Sequence, residues 1–211
     1  MRLYLVRHGE SVTNRTGQFT GQNDVPLTEL GEKQAACVTA FFENVKLDAV
    51  YSSDLSRAMN TVRGAAQAHG LPVCPDEGLR EVYAGQWEGC HFTELPILYP
   101  EDYATWRNDI GSSRCTGGES MAEAVARADA ALRRIAERHL HDTIAVASHG
   151  GIIRGLLALW QNGDISRMRE ITWAPNASVT VVKYEDGAFT AQQIGLTEHL
   201  GELTTELPKT V

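Results

Sequence analysis

The sequence predicts a three-layer α/β sandwich, with a largely parallel central sheet and helices on both faces. Three observations predict it. Short apolar runs alternate with amphipathic stretches along most of the chain, the pattern of a parallel sheet wrapped by helices. Three of those runs empty into turns of a similar kind, LVRHGE (5–10), VYSSDLSRA (50–58) and VASHGG (146–151). At 211 residues, 43% hydrophobic and 22% charged, the chain is long enough to bury one sizeable core. No linker, repeat or low-complexity tract divides it, so 1–211 reads as a single domain.

LYLV (3–6) reads as a buried strand, since strands covered on both faces need not alternate. TELGEKQAACVTAFFENV (28–45) has apolar residues at helical spacing behind a Thr28 N-cap. DAVYSS (48–53) is a short strand, and DLSRAMNTVRGAAQAHG (54–70) a helix ended by Gly70. After LPVCP come LREVYAGQWEG and an irregular stretch to 117, rich in Tyr, Trp, Pro and acids. GESMAEAVARADAALRRIAERHL (118–140) is the strongest helix, with Ala, Leu and Ile on one face. TIAVASHGG (143–151) is a strand running into a histidine, followed by the helical IIRGLLALW (152–160). SVTVVKYEDGAFTAQQI (178–194) reads as a hairpin turning at Asp186-Gly187. The tail, 196–211, is expected to fray, with closure over a pocket as the alternative.

The net charge of −8 argues against a nucleic-acid binder, which would show a basic face. No stretch approaches the roughly 20 apolar residues of a membrane span. The first apolar run stops at Arg7, unlike a signal peptide. Cys37, Cys74, Cys90 and Cys115 are scattered, without CxxC or metal spacing, and read as reduced thiols of a cytoplasmic protein. Neither a metal nor a cofactor is expected.

The carboxyl edge of the sheet is where open α/β folds bind ligands. If the three strands are neighbours, Arg7, His8, Arg57 and His149 converge there. A glycine after each histidine lets backbone approach a ligand closely. Two guanidinium forks and two imidazoles suit a tetrahedral dianion, phosphate in particular. Each residue alone has a plain structural reading, as a surface cation or a turn histidine. Three coincidences at strand ends weigh against it.

The order and spacing of LVRHGES, Asn14, FTGQNDVPLTELGEKQA, YSSDLSRAMNT, LREVYAGQWEG, GGES and SHGG resemble the histidine phosphatase superfamily, also called phosphoglycerate mutase-like. The resemblance spans roughly 2–160. It implies the fold of that family and a reaction through a phosphohistidine. By position, it makes His8 the nucleophile and Glu81 the proton donor, while Arg7, Arg57 and His149 hold the phosphoryl group. Asn14, Thr20 and Gly21 become further phosphate or substrate contacts, with backbone help from Gly150. A neutral His8 would attack phosphorus in line, its other ring nitrogen donating to a backbone carbonyl. Arg7 and Arg57 would favour that neutral form. Glu81 would protonate the leaving alkoxide and then activate water, its pKa raised by burial beside Tyr83 and Trp87.

The segment most suited to cap the site, 82–118, carries only Arg107 and Arg114 against Glu88, Glu94, Glu101, Asp102 and Asp109. Val82 follows Glu81 where the mutase pattern has arginine. Both features favour water as acceptor, so the expected activity is metal-independent hydrolysis of a small phosphomonoester by a monomer or homodimer. The rivals are a phosphoglycerate-type mutase and an inactive phosphate-binding module; intact His8 and Glu81 count against the latter. Arg127, Arg133 and Arg134 read as solvated helix charges, and His139 and His141 as partners of a helix dipole.

Overall fold

The computed structural model describes residues 1–205; the end of the tail, 206–211, lies outside the described residues. Three parallel strands and their neighbours place the functional edge. In chain order the strands are β1 (Arg2–Arg7), β2 (Ala49–Ser52), β3 (Val73–Pro75), β4 (Thr143–Ser148), β5 (Val179–Glu185) and β6 (Ala188–Leu196). They form one sheet in the order β3-β2-β4-β1-β5-β6. β3, β2, β4 and β1 pair in parallel, whereas β5 and β6 add an antiparallel edge. The last two strands are the predicted hairpin, with Asp186 at φ 51° and Gly187 at φ 80° supplying its tight turn.

The helices are α1 (Val12–Thr16), α2 (Glu29–Phe42), α3 (Ser56–Ala68), α4 (Leu95–Leu98), α5 (Pro100–Asn108), α6 (Met121–Arg138) and α7 (Gly150–Asn162). Alternation along the strands assigns them to two layers. Leu3, Leu5, Ile144 and Val146 face one apolar core with Leu132 and Ile135 of α6 and Ile152 and Leu156 of α7. Tyr4, Val6, Ala145 and Ala147 face the other, against Val38 and Phe42 of α2 and Ala58 and Val62 of α3. Alternate side chains of a strand point to opposite faces, so one run of LYLV serves both cores.

Local chemistry sets the helix starts. Thr28 accepts from the Gly31 amide at the head of α2, and Ser120 with Glu123 closes a capping box at α6. The stretch read as irregular holds α4, α5 and single 3₁₀ turns; Pro100 starts α5, where its missing N–H has no helical partner to serve. The segment builds its own core, with Trp87, Leu95 and Trp106 buried and Phe19 packed edge-on against both tryptophans. α1, five residues long, was invisible to periodicity. The described part of the tail docks: Leu200 is buried, and the Leu203 carbonyl accepts from Gln34 Nε2 at 2.8 Å.

Candidate active site

β1 and β4 run side by side in register, Arg7 opposite Ser148, so His8 and His149 leave the sheet together. The His8 amide donates to the Ser148 carbonyl at 3.0 Å, and the two imidazoles lie 5.1 Å apart. β2 ends beside them, with the Ser53 amide donating to the Ala147 carbonyl at 2.9 Å. From there the chain enters α3, and Arg57 sits in its first turn. One pocket is lined by His8, Arg7, Arg57, Glu81, Asn14 and Gly150, among others, with Thr20 and Gly21 at its wall.

His8 Nδ1 lies 2.7 Å from the Gly9 carbonyl. A carbonyl only accepts, so Nδ1 carries the proton and Nε2 keeps the lone pair. Burial holds the His8 pKa well below 6.5, with further lowering from Arg57 and Arg7. His149 is lowered in the same way, by burial first and Arg57 second. Its Nε2 meets Ser53 Oγ at 2.8 Å, while its Nδ1 is buried without a partner among the described residues.

The arginines are aimed by backbone carbonyls. Arg57 donates to Gly21 and Asn23, both at 2.8 Å, and Arg7 donates to Ala174. Their Nε atoms are buried and unpartnered among the described residues. Gly21 accepts that guanidinium from a left-handed conformation, φ 55°, with Glu88 and Ala84 closing the space a Cβ would need. Buried donors left open by the protein are costly, and Arg7 and Arg57, which both line the pocket, suit an anion that accepts from the two together. α7 begins at Gly150 and adds its positive end to the same spot.

Glu81 approaches from the opposite wall. Its carboxylate accepts from the amides of Gly151, at 3.0 Å, and Val82, at 3.1 Å. The expected aromatic surroundings differ: Tyr83 is 45% exposed, and Trp87 is buried in the cap with its indole donating to Thr116. The chain is irregular at 81–84 and turns through a 3₁₀ turn at Gly85–Trp87, so these neighbours in sequence are not neighbours in space. Gly151 permits the approach, since a Cβ there would stand 2.7 Å from Glu81 Oε1.

Arg127 corrects a second expectation. It is no solvated helix charge: its guanidinium donates to the carbonyls of Gly78 and Arg80, both at 2.9 Å, and of Glu81 at 3.1 Å, and pairs with Glu119 at 2.9 Å. It pins the loop that presents Glu81. Arg133 and Arg134 pair with Asp129 and Asp76 at the surface. His139, at the end of α6, lies 2.7 Å from Asp142 and 2.9 Å from the Tyr51 hydroxyl.

Asn14 Oδ1 is occupied by the amide and hydroxyl of Ser11 and by Asn176 Nδ2, at 3.0–3.1 Å. Its amide nitrogen is the group left for a ligand. Thr20 Oγ1 meets Thr13 Oγ1 at 2.5 Å. Sequence reasoning missed Ser53, Gly151, Asn176 and Trp173. Asn176 ties the His8 carbonyl to Asn14, at 3.1 Å each, and Trp173 walls the pocket. Both lie beyond the stretch that carried the motifs, and no local pattern marks them.

A family model for the histidine phosphatase superfamily (branch 1) matches residues 3–197. Phosphoserine phosphatase 1 of Hydrogenobacter thermophilus is 32% identical over the full length of both chains. Phosphoglycerate mutase-like protein 4 of Arabidopsis thaliana is 35% identical, covering 95% of this chain and 87% of its own. Among solved structures, Bacillus stearothermophilus YhfR superposes with a TM-score of 0.90 at 29% identity, over 94% of this chain and 98% of that one. The chain belongs to the histidine phosphatase superfamily, branch 1, as an enzyme of the phosphatase type.

Proposed function

We propose that this protein hydrolyses a small phosphomonoester through a phosphohistidine on His8, without a metal. The observation that carries the reading is the neutral His8, its Nδ1 committed to the Gly9 carbonyl, beside the open Nε of Arg7 and Arg57 and Nδ1 of His149. Nε2 attacks phosphorus in line with the leaving oxygen. Arg7, Arg57 and His149 meet the charge on the three equatorial oxygens, and Asn14, Thr20 and the backbone at Gly21 and Gly150 complete the cradle. Glu81 gives its proton to the departing alkoxide, then takes one from the water that splits the phosphohistidine.

Hydrolysis is favoured over isomerisation by the far wall of the pocket. Val82, Phe92 and Trp106 stand there, and among the described lining residues the only lysine or arginine side chains are Arg7 and Arg57. A mutase must hold a second phosphoryl group close to the same histidine, which these apolar walls oppose. The phosphatase named among its relatives supports the same choice.

The test is a panel of phosphorylated metabolites, phosphoserine and 3-phosphoglycerate included, with free phosphate and isomer both measured and chelator present. Phosphate release in excess of isomer is expected, with label trapped on His8 in a rapid quench and turnover lost in His8→Ala. Faster isomer formation, or chelator-sensitive turnover, overturns the proposal.

A further inference from the structure

Beyond Trp106 and Trp173 lies a second concavity, which these two rings share with the candidate active site. Its other walls are Arg107 at the end of α5, Ile110, Arg154 on α7 and Arg169. Three arginines thus meet in a protein whose net charge is −8. Only one of the three comes from the cap. The other two come from distant stretches of sequence, so the cap's acidic composition hid the cluster.

Arg154 and Arg169 are held in place by backbone carbonyls and an aromatic face. Arg154 lies one helical turn beyond Gly150, stacks at 4.8 Å on the Trp173 ring and donates through Nε to the Ile171 carbonyl at 2.6 Å. Arg169 donates to the Asn108 carbonyl at 2.7 Å. Among the described residues neither pairs with a carboxylate. The adjacent Glu170 is bound to Arg167, and Asp109 is bound to Ser112. Burial and the positive charge of Arg169 lower Arg154 to about 10. Two like charges held this close are relieved by an anion between them.

The same short segment serves both sites. Ile171 accepts from Arg154, Trp173 carries the face of Arg154, and Ala174 accepts from Arg7. A Cβ on Gly150 would stand 3.0 Å from the Trp173 ring and 3.1 Å from Arg7 Nε. Trp173 is the partition between the phosphoryl cradle and the arginine cluster.

We infer that Arg107, Arg154 and Arg169, with Trp106 and Trp173, form a distal subsite that takes an anionic group of the substrate remote from the scissile phosphate. The inference rests on the phosphomonoester reading of the main pocket. It names the substrate class as phosphomonoesters bearing a second anion, a carboxylate or phosphate, across an apolar spacer that passes the two tryptophans. Guanidinium forks match either oxyanion, and the indole faces suit the spacer. This position differs from the one a mutase needs, because the subsite lies past the tryptophans and not beside His8.

The experiment uses arylalkyl phosphonates, which cannot be hydrolysed, carrying a terminal carboxylate or its carboxamide isostere on spacers of increasing length. Their affinities are measured by calorimetry on the wild type, Arg169→Gln, Arg154→Gln and Arg169→Lys. For at least one spacer length the carboxylate should bind about tenfold more tightly than the carboxamide, the scale of one well-placed charged contact. That ratio should collapse toward one in both glutamine variants and survive in part in Arg169→Lys. A ratio near one at every length in the wild type overturns the subsite. A ratio that persists undiminished in both glutamine variants overturns its assignment to these arginines. Phosphonates that fail to compete with inorganic phosphate overturn the phosphomonoester reading itself, a result distinct from a missing carboxylate preference.

Discussion

Ser53 Oγ lies 2.8 Å from His149 Nε2, and the other nitrogen of that buried ring has no partner among the described residues. The Ser53 hydroxyl also accepts from the Leu55 amide at 3.4 Å, so its own proton is available to His149 Nε2. With Nε2 accepting, Nδ1 carries the proton that the proposed mechanism donates to a phosphoryl oxygen. Ser53→Ala removes the group that selects this tautomer. Its kcat/KM should fall by about tenfold to a hundredfold, somewhat less than deletion of a direct oxyanion donor. Vanadate affinity should weaken in parallel, measured by inhibition of p-nitrophenyl phosphate hydrolysis. Unchanged constants would remove Ser53 from the site.

Arg127 acts at one remove from the chemistry. Its five partners are four carbonyls of the loop at 77–81 and the Glu119 carboxylate. Lysine cannot span that set, because its ammonium is one point of charge and not a fork. Arg127→Lys should therefore resemble Arg127→Met, with alkyl phosphate turnover falling about tenfold or more through a displaced Glu81. The loss should be greater for alkyl than for aryl esters, since only the former need proton donation. A uniform loss on both would mean that the loop shapes the pocket without aiming the acid.

The placement of Arg7, His8, Arg57 and His149 at the strand ends was legible because it is local. RHG, SSDLSR and SHGG each keep strand, turn and functional side chain within a few residues, and parallel pairing of β1, β4 and β2 does the rest. The layers were legible through alternation and helical period. What stayed hidden depends on tertiary contact. Asn176 reaches Asn14 across 162 positions, and Arg127 reaches Glu81 across 46, with no periodic signature for either. The environment of Glu81 departs from the sequence expectation because its neighbours in sequence are not its neighbours in space: Tyr83 turns outward and Trp87 turns into the cap. The short α1 and α5 rest on capping and proline chemistry that no long apolar stripe announces.

The two lowered histidines make a pH prediction with a definite sign. In the unfolded chain His8 and His149 take up protons near their ordinary value of 6.5, and in the fold only well below it. Between those limits the unfolded state binds more protons, so stability increases with pH there and levels off above 6.5. The melting temperature should drop as pH falls below 6.5, and His149→Asn should flatten that slope. Catalysis should follow the same ordering. The acid limb of kcat/KM from His8 protonation should lie below pH 6.5, because the proposed nucleophile is already neutral at that pH. A slope of opposite sign in either measurement would contradict a buried, neutral pair.

Glu81 is held by the amide of its neighbour Val82 and by that of Gly151 in the first turn of α7, and the role proposed for it separates into two steps. Protonation of the leaving oxygen matters most when that oxygen is a poor leaving group. Glu81→Gln should depress hydrolysis of alkyl phosphates by roughly 10²–10⁴-fold, the usual span of general acid–base catalysis. p-Nitrophenolate leaves readily without a proton, so phosphorylation of His8 by its ester should suffer far less. The second step still needs a base toward water, and the variant should stall there. One equivalent of nitrophenol should appear quickly, followed by slow turnover. Gly151→Ala offers an independent check, since its Cβ would press within 2.7 Å of Glu81 Oε1 and push the carboxylate aside without altering its chemistry. It should reproduce the preference for aryl over alkyl esters in weaker form. Equal losses on both ester types, with no burst in Glu81→Gln, would show that Glu81 only positions substrate.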